Sequence, residues 1–293
     1  MWLMKVLPES TARTFARSIV RLFLIVMKRA RPVALRNLDL AFPDKTDEWK
    51  KQTAEKSFNV LAENILTFAR LDKLVSKLDH EKIVNVSEML DKQSQMETDK
   101  SGLILVSMHF GCFELYAQTF SLGNSPLIIL AREFGLPRLD AFWTKKRESF
   151  GSKVFDRKGG YKNMIRHLKK GHTVAILPDQ NVKKNHADFV EFFGHQTSFS
   201  KAVAMASMAT GSRLLLSCMA YDNEGKHKIL TREIPRPQDL ELESKEEKIQ
   251  QTCQNIATEM ENFIRAYPEN WFWIHRRWKT RPEGEPETVY QGI

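Results

Sequence analysis

The chain has 293 residues, 42% of them hydrophobic and 28% charged, a globular balance that excludes an intrinsically disordered chain. Its 45 Lys and Arg against 36 Asp and Glu leave +9, and that charge is concentrated at the ends. Residues 1–36 hold eight basic residues and one acid, residues 275–281 add Arg276, Arg277, Lys279 and Arg281, and the remainder is slightly acidic. Basic ends suit either nucleic acid or an anionic membrane surface. Three cysteines, Cys112, Cys218 and Cys253, are too few and too scattered for a disulfide framework or a zinc knuckle and fit a reducing compartment. No run of about 18 apolar residues supplies a self-sufficient transmembrane helix.

In chain order, residues 10–31 read as one helix, capped by Ser10 and stopped by Pro32. Phe15, Ile19, Leu22, Phe23 and Val26 fall on one face at helical spacing, with Arg13, Arg17, Arg21, Lys28 and Arg31 opposite. Such a segment suits an interfacial helix, apolar side toward acyl chains and basic side toward phosphates; packing on the protein's own core is the compatible alternative. The arginines interrupt any signal-peptide core. Residues 33–90 continue mostly helical, with a clear pattern over 44–69, and residues 92–100 read as a polar surface loop. The texture then changes. Short apolar runs at 102–107, 127–131, 173–177 and 213–219 read as buried strands, alternating with helices at about 111–122, 137–149, 161–170 and 199–210. A strand at about 226–233, an acidic-start helix at about 243–266 and an aromatic-basic tail follow. The expected fold is α/β: a central mixed, partly parallel sheet flanked by helices, preceded by a helical, basic N-terminal region over 1–95.

Chemistry points first to residues 107–114, Ser-Met-His-Phe-Gly-Cys-Phe-Glu, directly after a buried strand. Ligands in open α/β sheets gather at the carboxyl ends of strands, which places His109 where chemistry is expected. A His beside a carboxylate is the minimal general base. Five residues on a regular helix would separate His109 from Glu114, so the pair meets only if His109 lies in the turn before the helix and Gly111 allows a tight entry. As a bare pattern this is weak, and a structural histidine is the plainer reading. Asp179 and Gln180 end another strand at a carboxyl edge. Asp179 has three readings: a second orienter of His109, a contact to an acceptor, or an Asx turn. Gly159 and Gly160 read as a plain turn. Met205 and Met208 read as core, and Phe192 and Phe193 equally as packing or as an acyl channel. Trp271, Trp273 and Trp278, interleaved with Arg276, Arg277 and Lys279, suit a membrane interface more than stacked nucleic-acid bases. No histidine has trustworthy metal-ligand spacing, and no cofactor motif is present.

Residues 109–114 resemble the H-x4-D/E signature of the lysophospholipid acyltransferase superfamily, and more closely that of the late (lauroyl or myristoyl) acyltransferases of lipid A biosynthesis, His-Phe-Gly-Asn-Trp-Glu. His109, Gly111 and Glu114 match, while Cys112 and Phe113 replace Asn and Trp. Further stretches are similar in the same order: Asn37-Leu38 with Ala41-Phe42-Pro43, Ala131-Arg132 with Leu139-Asp140, Arg157 to Gly160, Leu177 to Gln180, Phe192 to Gly194, and Pro268 to Trp271 with His275 to Lys279. The likeness spans roughly residues 30–285.

That resemblance implies a glycerol-phosphate-acyltransferase-like fold in an acyltransferase domain over 96–293, with residues 1–95 associating with membrane. It implies transfer of an acyl chain from an acyl carrier protein thioester, or from coenzyme A, to a hydroxyl of a lipid A precursor, with no cofactor and no metal. His109 would act as general base, Glu114 would orient it, and Cys112 need not react. Arg132, Asp179, Gln180, Gly111, Phe192 and Phe193 would meet substrate, with Arg132 on a phosphate or on the oxyanion. The implied place is the cytoplasmic face of a bacterial inner membrane, attached peripherally or monotopically to its anionic surface, with no nucleic-acid partner. Another glycolipid or a lysophospholipid as acceptor, and a non-enzymatic basic membrane or nucleic-acid binder, remain the alternatives.

Overall fold

The computed structural model describes residues 2–71, 83–96, 101–121, 127–131, 135–156, 159–222, 224–285 and 288–293. The chain opens with helices α1 (Trp2–Val6), α2 (Glu9–Val26), α3 (Ala30–Ala41) and α4 (Asp47–Ala69). The single helix expected over 10–31 is therefore two. Pro32 explains the break: in a continuous helix its ring would strike the carbonyl of Lys28, whereas in the first turn of α3 its missing N–H breaks no helical bond. Ser10 lies inside α2, and Pro8 takes the N-cap position. At α4 the Thr46 side chain accepts from the Trp49 N–H, with Asp47 and Glu48 in the positive first turn.

The next elements are β1 (Ile83–Val84), α5 (Val86–Met96), β2 (Leu103–Val106), α6 (Phe113–Phe120), β3 (Leu127–Ala131) and α7 (Pro137–Glu148). They continue with β4 (Lys153–Asp156), α8 (Gly160–Leu168), β5 (Thr173–Ile176), β6 (Ala187–Phe192), β7 (His195–Ser200) and α9 (Ala202–Thr210). The chain closes with β8 (Arg213–Tyr221), β9 (His227–Ile234) and α10 (Lys245–Ala266), then a mostly irregular tail. Seven strands form one sheet in the order β1-β9-β8-β2-β5-β3-β4, parallel throughout except for the β8–β9 pair. The α/β expectation holds, and β2 lies at the sheet's centre.

Four strands escaped the sequence pattern. β1 has two residues, β4 is an edge strand with charged ends, and β6–β7 is a separate hairpin with a polar second strand. Its two-residue turn, Phe193-Gly194, has positive φ at both positions (54° and 72°), the geometry that matches strand twist. The polar stretch from Lys92 is helical up to Met96, because Met89, Gln93 and Met96 make a buried stripe. Residues 97–100 lie outside the described residues.

Alternation along the strands builds a core on each sheet face. Ile104, Val106, Val174, Leu214 and Leu216 pack in one cluster; Leu103, Leu105, Ala175 and Leu215 pack in the other. Leu38, Phe58 and Leu66 of the N-terminal helices share the first of these clusters, so residues on both sides of position 95 build one core. Met208 is half-buried, but Met205 stands 36% exposed rather than in the core. The tail corrects a larger expectation. Trp271, Trp273, Trp278 and Arg277 are no more than 3% exposed, so this segment is an internal wall and not a membrane surface.

After β2 the chain makes two isolated bridges, Phe110 to Trp271 of the tail and Gly111 to Met219 of β8. Gly111 has φ +53°, and a Cβ there would lie 2.0 Å from the Met219 carbonyl oxygen. Gly159, with φ +73°, has nothing within 4 Å of its would-be Cβ. Gly111→Ala is therefore expected to lose about 3 kcal/mol or more in urea unfolding, and Gly159→Ala about 1 kcal/mol.

Candidate active site

Strand register assembles the site. Val106 of β2 pairs with Ile176 of β5 in parallel. Three residues beyond each lie His109 and Asp179, so equal travel from paired positions brings them side by side at the carboxyl edge. The His109 Nδ1 lies 2.9 Å from Asp179 Oδ1, and the His109 backbone N–H donates to Asp179 Oδ2 at 3.0 Å. The Trp271 indole N–H donates to the same Oδ2 at 3.1 Å. A carboxylate accepting at Nδ1 fixes the tautomer: Nδ1 carries the proton and Nε2 keeps the lone pair. The ring is 26% open to solvent, flanked by the half-buried rings of Phe113 and Phe272 at 5.4 and 6.0 Å.

Burial opposes charge on both partners, and in both the pairing wins. For His109, burial pulls the imidazole down, but the Asp179 charge, its hydrogen bond and the field of Glu114 outweigh that and raise it above the ordinary value, with Arg147 opposing. For Asp179, burial pushes the carboxyl up, and the His109 charge and hydrogen bonds with the Trp271 N–H hold it below the usual carboxylate range.

Glu114 stands in the first turn of α6, where the sequence placed it, but its carboxylate faces elsewhere. Arg147 of α7 donates from Nε to Oε2 at 3.1 Å and from Nη2 to Oε1, and the Trp143 indole donates to Oε1 at 3.0 Å. The acid that holds the His109 ring is thus Asp179. Glu114 acts on the imidazole through its field, because a bidentate guanidinium and an indole already occupy its oxygens. The Asn64 amide oxygen accepts from the Glu114 backbone N–H at 3.5 Å, linking α4 to this turn.

The tail frames the same loop. Gly111 donates its N–H to the Asn270 carbonyl at 2.8 Å, and the Phe272 N–H donates to the His109 carbonyl at 3.1 Å. The Gly111 amide is thereby committed to packing rather than open to a substrate. His275 Nε2 accepts from the Asn181 N–H at 2.9 Å, fixing the turn that carries Asp179 and Gln180; burial pushes this imidazole down to about 4, so it stays a neutral acceptor. The Gln180 amide nitrogen lies 3.5 Å from His109 Nε2, the nitrogen that keeps its lone pair. Phe192 and Phe193 are buried against Trp271, Trp273, Trp278 and Phe42, within the aromatic core. Burial pushes the Cys112 thiol far above its ordinary value, so no thiolate is at hand. Arg132 lies outside the described residues. Among the described residues no cluster of His, Cys, Asp or Glu is arranged to hold a metal.

Trp143, Arg147, Trp271 and His275 were missed as site residues. Asp179's readings already included the right partner, whereas the contacts of Trp143 and Arg147 had no local signal, being 29 and 33 residues from Glu114.

On the surface, α2 presents two stripes. Ala12, Ala16 and Val20 are buried, while Phe15, Ile19, Leu22, Phe23 and Val26 are exposed, Leu22 at 62% and Val26 at 70%. The five residues read as one apolar face thus all stand outward, and a second stripe of smaller residues meets the protein. Arg13 does not share the outward role, because its guanidinium bonds buried Glu63 at 2.6 Å and Glu9 at 2.9 Å. Arg17 and Arg21 remain exposed beside a cleft also lined by Arg31, Leu24 and Phe58. No helix among the described residues is long and apolar enough to cross a membrane.

Comparison with known proteins places this site in context. Residues 1–280 match the family model described as bacterial lipid A biosynthesis acyltransferase. The chain is 28% identical over 291 residues to the lipid A biosynthesis lauroyltransferase of Escherichia coli K12, covering 98% of this chain and 91% of the relative. It is 25% identical to the myristoyltransferase of the same strain (88% and 78% covered) and 26% identical to its palmitoleoyltransferase (97% and 90%).

If Asp179 holds the ring, Asp179→Asn lowers the His109 titration midpoint, because the charge favouring imidazolium is gone. Glu114→Gln lowers it less, since that acid acts only through space. Histidine-ring NMR titration reads both, and an unmoved midpoint in Asp179→Asn would contradict the pairing.

Proposed function

We propose that this chain, which belongs to the bacterial lipid A biosynthesis acyltransferase family, uses His109 as the general base that transfers a fatty acyl group from an acyl carrier protein thioester to a hydroxyl of a lipid A precursor. The family makes it an acyltransferase; donor, acceptor hydroxyl and residue roles are our reading. The observation that carries it is the His109–Asp179 pair at the sheet's carboxyl edge, with Nδ1 held at 2.9 Å and the ring 26% open to solvent.

An alcohol is a poor nucleophile at neutral pH, so a base must take its proton as it attacks. His109 Nε2 accepts that proton while the hydroxyl oxygen bonds to the thioester carbonyl carbon. Asp179, held ionised, balances the imidazolium. The tetrahedral intermediate then expels the thiolate, which takes the proton back from Nε2. No acyl-enzyme is required, in keeping with the inert Cys112. Gln180 is placed to donate to the developing charge or to the acceptor. Arg132 remains a proposed phosphate or oxyanion contact on resemblance alone. Glu114, clamped by Arg147 and Trp143, keeps α6 and α7 in register around the loop and lends its field to His109. Phe113 and Phe272 flank the His109 ring with apolar surface, of the kind a hydrocarbon chain needs.

The lipid acceptor calls for access to a bilayer surface. The exposed Phe15, Ile19, Leu22, Phe23 and Val26 would enter the headgroup boundary while Arg17 and Arg21 meet lipid phosphates, attaching the N-terminal region to the anionic cytoplasmic face of the inner membrane without spanning it.

Purified protein with acyl carrier protein thioester and lipid A precursor is expected to transfer acyl groups, and His109→Ala to lose about a thousandfold or more in kcat. Undiminished turnover in that variant ends the general-base assignment. Running coenzyme A thioester as donor and a lysophospholipid as acceptor in parallel tests the substrate choice. For attachment, Leu22→Asp with Val26→Asp should weaken flotation with anionic vesicles about tenfold or more; unchanged flotation would remove α2 from the membrane surface.

A further inference from the structure

Helix α2 carries Arg13, Arg17 and Arg21 at four-residue spacing, and α4 supplies Glu63, Asn59 and Glu55 at the same spacing in the reverse order. The first rung of this ladder is closed, because Arg13 Nε donates to Glu63 Oε1 at 2.6 Å. The other two are not. Arg17 and the uncharged Asn59 line one cleft at the second rung. Arg21 and Glu55 line the same cleft, but the Glu55 carboxylate is already taken by Arg31 of α3 at 2.5 Å. Among the described residues Arg17 and Arg21 have no ion-pair partner. Two arginines one helical turn apart repel each other, and an anion between them relieves that repulsion.

The cleft has a volume of about 360 Å³, and its other walls are apolar: Val20, Leu24, Ile25 and Phe58. The Arg31 guanidinium lies over the Phe58 ring at 5.8 Å, so the charged and apolar walls meet. Ile25 lines the cleft and is also 69% exposed, which joins the cleft to the outward stripe of Leu22 and Val26. Arg17, Arg21 and Arg31 against Glu55 leave two positive charges beside a hydrocarbon surface.

We propose that this cleft binds one anionic glycerophospholipid, its phosphate between Arg17 and Arg21 where the ladder lacks an acid. Its acyl chain leaves past Leu24 and Ile25. Guanidinium groups match phosphate oxygens in fork geometry and stay charged throughout the working pH range. A free phosphate or a sugar phosphate would satisfy the arginines but leave the apolar walls uncovered; a phosphate carrying a hydrocarbon chain covers both. The proposal rests on the reading that α2 lies on a membrane surface, and it adds to that surface a discrete, stoichiometric lipid site.

The site is separate from the His109 opening. Glu55 precedes Asn64, the α4 residue that touches the Glu114 backbone N–H, by nine residues, or about 13 Å along the helix. A lipid held there fixes how α2 is turned on the bilayer without entering the catalytic loop.

Calorimetric titration of the full chain with dihexanoyl phosphatidylglycerol, dissolved below its micelle concentration, tests this. Saturable one-to-one binding is expected, and Arg17→Gln with Arg21→Gln should weaken it about tenfold or more. Asn59→Asp supplies the missing acid. It should weaken binding by a similar factor while raising the unfolding temperature of the lipid-free protein, a combination that damage to the fold would not give. Unchanged affinity in either variant overturns the proposal, as does inorganic phosphate or glucosamine 1-phosphate binding as tightly as the lipid. Leu22→Asp with Val26→Asp, neither of which lines the cleft, should weaken vesicle flotation but keep the dissolved lipid. Binding of the dissolved lipid by a wild-type chain that does not float with anionic vesicles would keep the cleft and dismiss the membrane-surface reading instead.

Discussion

Parallel pairing of β2 with β5 is the constraint on which the site depends. Because Val106 and Ile176 are partners, the chain needs only three further residues on each strand to set His109 against Asp179. A slip by one position would send one side chain to the opposite sheet face. The fully apolar faces of β2 and the buried rows above and below it make that slip expensive, so core packing and the His109–Asp179 geometry are secured by the same contacts. Gly111 extends the constraint to β8, since only a residue without Cβ lets the loop approach the Met219 carbonyl.

Two buried acids at this edge have been given different tasks by their partners. Glu114 is held by a guanidinium and an indole and so binds α7 to α6. Asp179 is held by an imidazole, a backbone amide and an indole, a set that leaves its charge available to stabilise imidazolium. The difference lies in the partner's chemistry: a guanidinium is a fixed charge, whereas an imidazole exchanges its proton near neutrality. The tail supplies much of this environment, with Trp271, Phe272 and His275 each fixing a different part of the two loops.

The N-terminal helices add an outer layer to the same core. Residue size sorts the two apolar stripes of α2. Ala12, Ala16 and Val20 let α2 lie close on α4, and Phe15, Ile19, Leu22, Phe23 and Val26 face outward. Arg13 shows how a basic residue in such a helix can serve the interior, here by neutralising buried Glu63.

Much of this was legible in the sequence. The apolar runs gave the central strands, the strand-helix alternation gave an α/β sheet with parallel strands, and the segment after the first run put His109 at a carboxyl edge, because periodicity and chain order are local properties. What was not legible was non-local. The acid five residues from His109 is bound by a side chain 33 residues away, and the acid that holds the imidazole comes from 70 residues further along the chain. The tail shows the same limit: tryptophans interleaved with arginines have one composition whether they meet lipid headgroups or line a protein interior. Only the tertiary structure decided between them, because pairing and burial depend on which strands lie side by side, and that is settled by the packing of the whole sheet.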